Sequence, residues 1–302
     1  SGYNRVMRNI GKVQNQGLEI TIGGTPIQTK DFTWTSSFNI AFNRNKLLQL
    51  TDNQLHLLTA QGWGDDWRNI PGYIAKLDNP IAQFYGLIYA GTYKYEDFDL
   101  LGGMYTLKNN VPSNGGSRTN IKPGDVRYVD LDGDGQITAN DRTVLHSDQP
   151  DFLVGITNVF SYKAFSLMVM FNARQGGFSP IPTINPGTNF YDLANVLDVP
   201  YWTPENPINT HPAINYRNPL GYQFYQSRSF VRLQDVSLSY SFPQVILDRV
   251  KVNRIEMYVS GKNLLTWTKW QGWDPEFGSG GRNPGNNGPL LKSYTLGLNI
   301  QF

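Results

Sequence analysis

Lys292-Ser-Tyr294-Thr-Leu296-Gly-Leu298-Asn-Ile300-Gln-Phe302 is the stretch whose reading decides the fold. Tyr294, Leu296, Leu298, Ile300 and Phe302 alternate with Ser293, Thr295, Gly297, Asn299 and Gln301, so a strand here has one apolar and one polar face. Any half-buried strand of a soluble sandwich shows the same period. In this chain the pattern recurs in strand after strand, and long polar connections separate the hairpins, which predicts an all-β, antiparallel transmembrane β-barrel.

Leu18, Ile20 and Ile22 form a first apolar face, and Phe32, Trp34, Phe38, Ile40 and Phe42 a second. A third strand is expected near Ile81 to Tyr95, and a further one could hide between Gln54 and Lys76. The clearest hairpin carries Phe152, Val154, Ile156, Phe160 and Tyr162, turns at Lys163 and Ala164, and returns through Phe165, Leu167, Val169 and Phe171. Val236, Leu238, Tyr240 and Phe242 precede a compact connection to Ile255, Met257 and Val259. Phe152, Ile156, Leu167, Phe171, Leu238, Met257, Leu296 and Leu298 are expected to face lipid, and the total is read as about eight to ten strands. Connections 96–150, 176–227 and 268–289 are long, those at 163–164 and 243–252 short. Barrels of the outer membrane alternate lengths in this way, with the long loops outside.

Composition agrees without choosing the class. A membrane helix needs about 18 or more apolar residues in a row, which the chain lacks, whereas a barrel strand needs only about 9–11 alternating ones. The mean hydropathy of -0.40 is therefore compatible with a membrane protein. Aromatic residues reach 13%, enough for interfacial girdles or for a large aromatic core. A net charge of +2 with scattered Lys and Arg leaves no nucleic-acid footprint, and the absence of cysteine excludes disulfides and thiolate metal sites. No secretory leader opens the chain, which reads as mature or as part of something larger.

The most specific local motif is Asp130-Leu-Asp132-Gly-Asp134-Gly135-Gln136-Ile-Thr-Ala-Asn-Asp141. Carboxylates at positions 1, 3, 5 and 12, glycine at 6 and Gln136 at 7 match a calcium loop, so Asp130, Asp132, Asp134, the Gln136 carbonyl and Asp141 are expected to converge on a structural Ca2+. Position 12 is Asp rather than Glu and no flanking helices are evident, which points to a staple rather than a switch; a polar Asp/Gly turn is the plain alternative. His56, His146 and His211 are isolated, and no nucleophile elbow or paired-histidine motif occurs, so the chain is not read as an enzyme. Aromatics of 176–227, above all Tyr191, Trp202, Tyr222 and Tyr225, are candidate cargo-stacking residues, although such rings more often fold a loop onto itself.

Gly124-Asp-Val-Arg-Tyr-Val-Asp130 through Asp141, followed by Pro150-Asp-Phe-Leu-Val-Gly155, resembles SusC/RagA-type TonB-dependent outer-membrane transporters. So do Asn15-Gln-Gly17-Leu-Glu19, Asn43-Arg-Asn45-Lys46, Trp202-Thr-Pro-Glu-Asn-Pro207, Val231 to Pro243, Ser260-Gly-Lys-Asn263-Leu-Leu-Thr266 and Gly272-Trp-Asp274-Pro-Glu276, in family order. The resemblance implies the C-terminal part of a 22-stranded barrel with a separate plug. It further implies a SusD-like surface lipoprotein, TonB as energy source, an oligosaccharide or oligopeptide cargo, and contact with lipid and lipopolysaccharide in a Gram-negative outer membrane. A non-transporting assembly or secretion scaffold and a soluble, calcium-stapled glycan-binding sandwich are the rival readings. As part of a larger barrel, the strand at Leu18 and the strand at Leu298 should not pair with each other.

Overall fold

A computed structural model describes residues 11–51, 54–60, 71–81, 83–115, 117–181, 198–216, 220, 224–276 and 290–302. The chain forms two compact units. One comprises 15–44, 149–177 and 227–302; the other is built mainly from 45–148 and 178–226.

The first unit is organised by seven long strands: β1 (Gly11–Gln28), β2 (Phe32–Leu50), β3 (Pro150–Tyr162), β4 (Phe165–Gly176), β5 (Phe230–Ser241), β6 (Arg254–Thr268) and β7 (Ser293–Gln301). They pair in chain order as one meander, and the pairs β2–β3, β3–β4, β4–β5, β5–β6 and β6–β7 are antiparallel. Short connections join β1 to β2, β3 to β4 and β5 to β6 at one end, and the three long connections begin and end at the other. The β3–β4 turn puts Lys163 at φ +52, and Ser241 N–H bonds the Ala164 carbonyl at 2.9 Å. The β5–β6 link is helical, α1 (Gln244–Val250), and stops at Lys251 in the left-handed region.

Residues directly opposite across antiparallel strands lie on the same face of the sheet. Trp34, Phe160, Leu167, Leu238, Val259 and Leu296 form one cross-strand row, and Phe32, Tyr162, Phe165, Tyr240, Met257 and Leu298 the next. Phe38, Ile156, Phe171, Leu233 and Leu265 continue the same face beyond bulges at Met170/Phe171 and Leu233/Asp235. All eight residues expected to share the lipid-facing parity fall on it. Polar side chains interrupt it at Asn158 and at Ser36 directly opposite, and Asn158 accepts the Trp34 indole N–H at 3.0 Å. On the opposite face lie Thr33, Ser161, Ser166, Ser239, Tyr258 and Gly297, then Ser37, Thr157, Met170, Asp235, Lys262 and Ser293. Tyr258 folds across Gly297, where any Cβ would overlap its ring. The apolar face is left open, with Leu296 77% and Leu298 58% exposed, an area that water would not tolerate and hydrocarbon would. β1 and β7 stand at the two edges of this sheet, unpaired with each other, as expected.

Two expectations are corrected. Among the described residues the long sheet has seven strands rather than eight to ten, because the run near Ile81 to Tyr95 does not join it. That run breaks after Gly86 into Gln83–Gly86 and Tyr89–Thr92, and the second piece is itself irregular at Gly91, φ +98. Gln83–Gly86 instead pairs with Thr143–Ser147 and Pro71–Lys76, and His56–Ala60 completes this smaller sheet. The strand suspected between Gln54 and Lys76 is thus a pair, and it too lies outside the long sheet. The second correction concerns 96–150 and 176–227, which are not simply irregular loops. They contribute to two tight cores, one of Leu87, Val126, Tyr128, Ile137 and Tyr216, the other of Tyr93, Phe98, Leu107 and Ile121.

Candidate functional site

The acidic turn is positioned by the first of those cores. Ile137 is sunk in it, and Ser113 clamps the turn by donating to the Gly135 carbonyl at 3.0 Å and accepting from Ile137 N–H at 2.8 Å. Gly133 and Gly135 take φ values of +76 and +80, the conformation the pattern requires of its sixth residue. Asp130 accepts from Gly133 N–H at 2.7 Å and Gly135 N–H at 2.9 Å, Asp132 from Asp134 N–H at 3.3 Å, and Asp134 from Gln136 N–H at 2.7 Å. These bonds turn the three carboxylates inward, with an oxygen of each within 4.8 Å of the others, a spacing that suits a cation with oxygen ligands at about 2.3–2.6 Å. Asp141 is not in that trio. Fully buried, it closes the loop by accepting from Leu131 N–H and Thr138 N–H, both at 2.7 Å, at the start of a short 3-10 turn, Ala139–Asp141. The expectation that it faces the ion alongside the others is therefore revised: two backbone amides already hold its carboxylate.

Of the four aromatic candidates, Tyr191 and Tyr222 lie outside the described residues. Trp202 is 8% exposed and lies flat over Gly124, where a Cβ would come within 2.5 Å of the indole, and its ring also packs 5.8 Å from that of Tyr95. The expectation that it displays its ring to cargo gives way to a packing role, since the ring is almost wholly buried. Tyr225 stands half-buried between Phe84 at 4.9 Å and His146 at 5.7 Å, and His146 in turn stacks on Phe178 at 4.0 Å. Burial holds the His146 and His211 pKa values below the ordinary imidazole value, so both rings are neutral at pH 7. Burial likewise pushes the Tyr89 and Tyr225 phenols up, while Asp125, beside the tyrosine-lined cores, is pushed up to about 6 for the same reason.

Sequence reasoning missed a buried charge cluster in the long-stranded unit. Arg232 on β5, with no solvent exposure, donates to Asp274 at 2.6 Å and Glu276 at 2.5 Å, and to Thr266 of β6 at 3.0 Å. Arg228 reaches the Pro275 carbonyl at 2.8 Å and also the Glu276 carbonyl. The signal was an arginine at an inward parity of β5 together with a Trp-Asp-Pro-Glu stretch, but the partners are 42 residues apart.

No family model matches the chain. It is 31% identical over 323 residues to TonB-dependent receptor P3 of Formosa agariphila, covering 100% of this chain and 30% of that protein. To the TonB-dependent receptor SusC of Bacteroides thetaiotaomicron it is 27% identical over 311 residues, covering 99% of this chain and 27% of the relative. Over its whole length the chain is similar to one portion of TonB-dependent receptors, SusC among them. It spans about 30% of the length of the curated relatives it matches. Among solved structures, the RagAB peptide transporter superposes with a TM-score of 0.69 at 24% identity, covering 98% of this chain and 30% of that one. The RagAB peptide importer in its closed-closed state reaches 0.71 at 23% identity, with the same coverage. These likenesses establish the antiparallel barrel architecture.

Proposed function

We propose that this barrel portion serves TonB-dependent import across the outer membrane of a Gram-negative bacterium. The observation that carries the reading is the long-stranded sheet: one face apolar across five successive registered strand pairs, the other lined with Ser, Thr, Asp and Lys. Such a wall separates hydrocarbon from a wet lumen. The full-length relatives bear TonB-dependent receptor names, which supports energy supply by TonB. In this reading further barrel strands and a plug complete the wall, a SusD-like lipoprotein covers the outer end, and lipid with lipopolysaccharide surrounds it. The cargo is an oligosaccharide or oligopeptide, held by stacking and hydrogen bonds rather than covalent chemistry. Deleting the complete gene should abolish growth on one such nutrient as sole source while leaving growth on its monomers intact. Unchanged growth on every oligomer, with the protein still in the outer membrane, would favour the scaffold reading instead.

A structural calcium ion at the acidic turn is a second, independent proposal, supported by the converging carboxylates of Asp130, Asp132 and Asp134. The Gln136 carbonyl would add a neutral ligand, and the ion would offset repulsion among three charges. Asp132→Ala, or a chelator, should make 96–150 more susceptible to protease and leave heat-modifiable barrel mobility unchanged. Identical digestion with and without chelator would sink the ion.

A further inference from the structure

The segment that follows β6, from Trp270 to Glu276, is pinned against the polar face of the sheet. Arg232 and Thr266 are register partners on that face, and through them the guanidinium holds Asp274 and Glu276. Arg232 also packs 4.8 Å from the Phe230 ring centroid, and Arg228 anchors the carbonyls of Pro275 and Glu276. Glu276 N–H closes the turn on Asp274 at 2.8 Å. On the other side, Trp270 is buried, its ring lying over Gly272, where a Cβ would overlap the indole. The backbone on both sides of Trp273 is therefore fixed, yet the Trp273 side chain is 73% exposed. A large ring held out by a rigid support offers contact area with little left to lose in conformational entropy on binding.

We propose that Trp273 is a cargo-binding residue that stacks on the apolar face of a neutral sugar ring. The proposal deepens the import reading above and rests on it. The charges argue for a neutral partner: Arg228 and Arg232 balance Asp274 and Glu276, so the support exerts no net pull on a charged peptide. Three residues further on, the Glu276 side chain is 47% exposed and offers a carboxylate acceptor to a hydroxyl. Stacking plus one well-placed acceptor is the chemistry that distinguishes a pyranose from a plain apolar ligand. Trp273 lies beyond the end of β6 from which a long connection leaves, the end opposite the short turns.

The test uses the complete purified transporter in detergent, titrated by calorimetry with maltoheptaose, laminarihexaose and mannohexaose, and separately with a tryptic casein digest. Binding of at least one glycan is expected, with Trp273→Ala weakening it about tenfold and Trp273→Phe retaining most of it. Because the side chain is exposed, heat-modifiable mobility should match the parent in both variants. Glycan binding unaffected by Trp273→Ala would overturn the assignment and leave the import reading standing. Binding of peptides alone, whether or not Trp273 matters to it, would overturn the sugar assignment with import intact. No binding of either class, together with normal growth of the deletion strain on every oligomer, would remove the import reading and this proposal with it.

Discussion

The two compact units solve the same problem, burying apolar side chains, for different surroundings. In the unit of 45–148 and 178–226, Tyr93, Leu107, Val126, Tyr128 and Ile137 are at most 1% exposed and form cores that need nothing from outside. Their polar tips are satisfied internally: the Tyr93 hydroxyl donates to the Pro112 carbonyl at 2.7 Å, and Tyr128 bonds Tyr216 at 3.3 Å. The long-stranded sheet keeps its largest apolar side chains on an open face, and the buried groups it does have include an arginine. Water-style burial defines the unit of 45–148 and 178–226, whereas the long-stranded unit is stable only when something apolar covers one face. The lesson is that exposure of Leu, Ile and Phe in the sheet is not a packing defect but the mark of its solvent.

The comparison breaks most sharply if a core truncation in the unit of 45–148 and 178–226 is harmless. Leu107→Ala should destabilise that unit by about 2–5 kcal/mol, since the cavity forms among Tyr93, Phe98 and Ile121 with no room to collapse. Hydrogen exchange should show lost protection across 89–128 and little change in β3 to β7. A smaller effect is expected on the other side of the comparison. Leu167→Arg, placed on the apolar row, should cost about 2–4 kcal/mol in lipid if it lies near mid-bilayer, whereas Ser166→Arg on the polar face should be nearly neutral. Urea titration of the complete protein refolded into phosphatidylcholine vesicles separates the two. Equal costs for both would mean that the faces are assigned wrongly.

How far the sequence could be read differs between the units for a physical reason. A long strand repeats its environment every second residue, so the parity of Leu238, Met257 and Leu296 was visible in the sequence alone. The other unit has strands of three to six residues, such as Val126–Tyr128, too short to establish a period. Its cores draw single residues from distant places, Tyr128 and Tyr216 among them. Trp202 suggested a cargo contact because it is an aromatic of the long connection 176–227, yet the residue it packs on is Gly124, 78 positions earlier, and only a glycine lets the indole approach so closely. The acidic turn was legible because its spacing is local, and Asp141 departed from expectation because a carboxylate can close a loop on backbone amides as well as on an ion. Arg232 and its carboxylates went unread since nothing in spacing marks a pair separated by a whole hairpin.

The smallest effect sharpens the comparison through pH. Asp125 follows Gly124 beside the tyrosine-lined cores, where burial lifts its carboxyl from 3.8 to about 6 against the support of the Lys122 N–H, at 2.8 Å, and the Lys122 charge. Because the folded form holds its proton more tightly than the unfolded chain, the fold binds extra protons between pH 4 and 6, and stability falls as pH rises through that window. Below about pH 4 both states are protonated and the penalty vanishes. Asp125→Asn keeps an oxygen to accept from Lys122 and removes the charge, so it should leave this unit unchanged at pH 4. At pH 8 it should stabilise the unit by on the order of 1 kcal/mol, less than the full shift would give because the side chain retains some contact with water. Proteolysis rates of 89–128 at the two pH values measure the difference, while rates in β3 to β7 should not respond to this substitution at either pH. A variant that digests faster at pH 8 than the parent would show that the charge is supported rather than penalised, and that this unit's interior is wetter than its packing indicates.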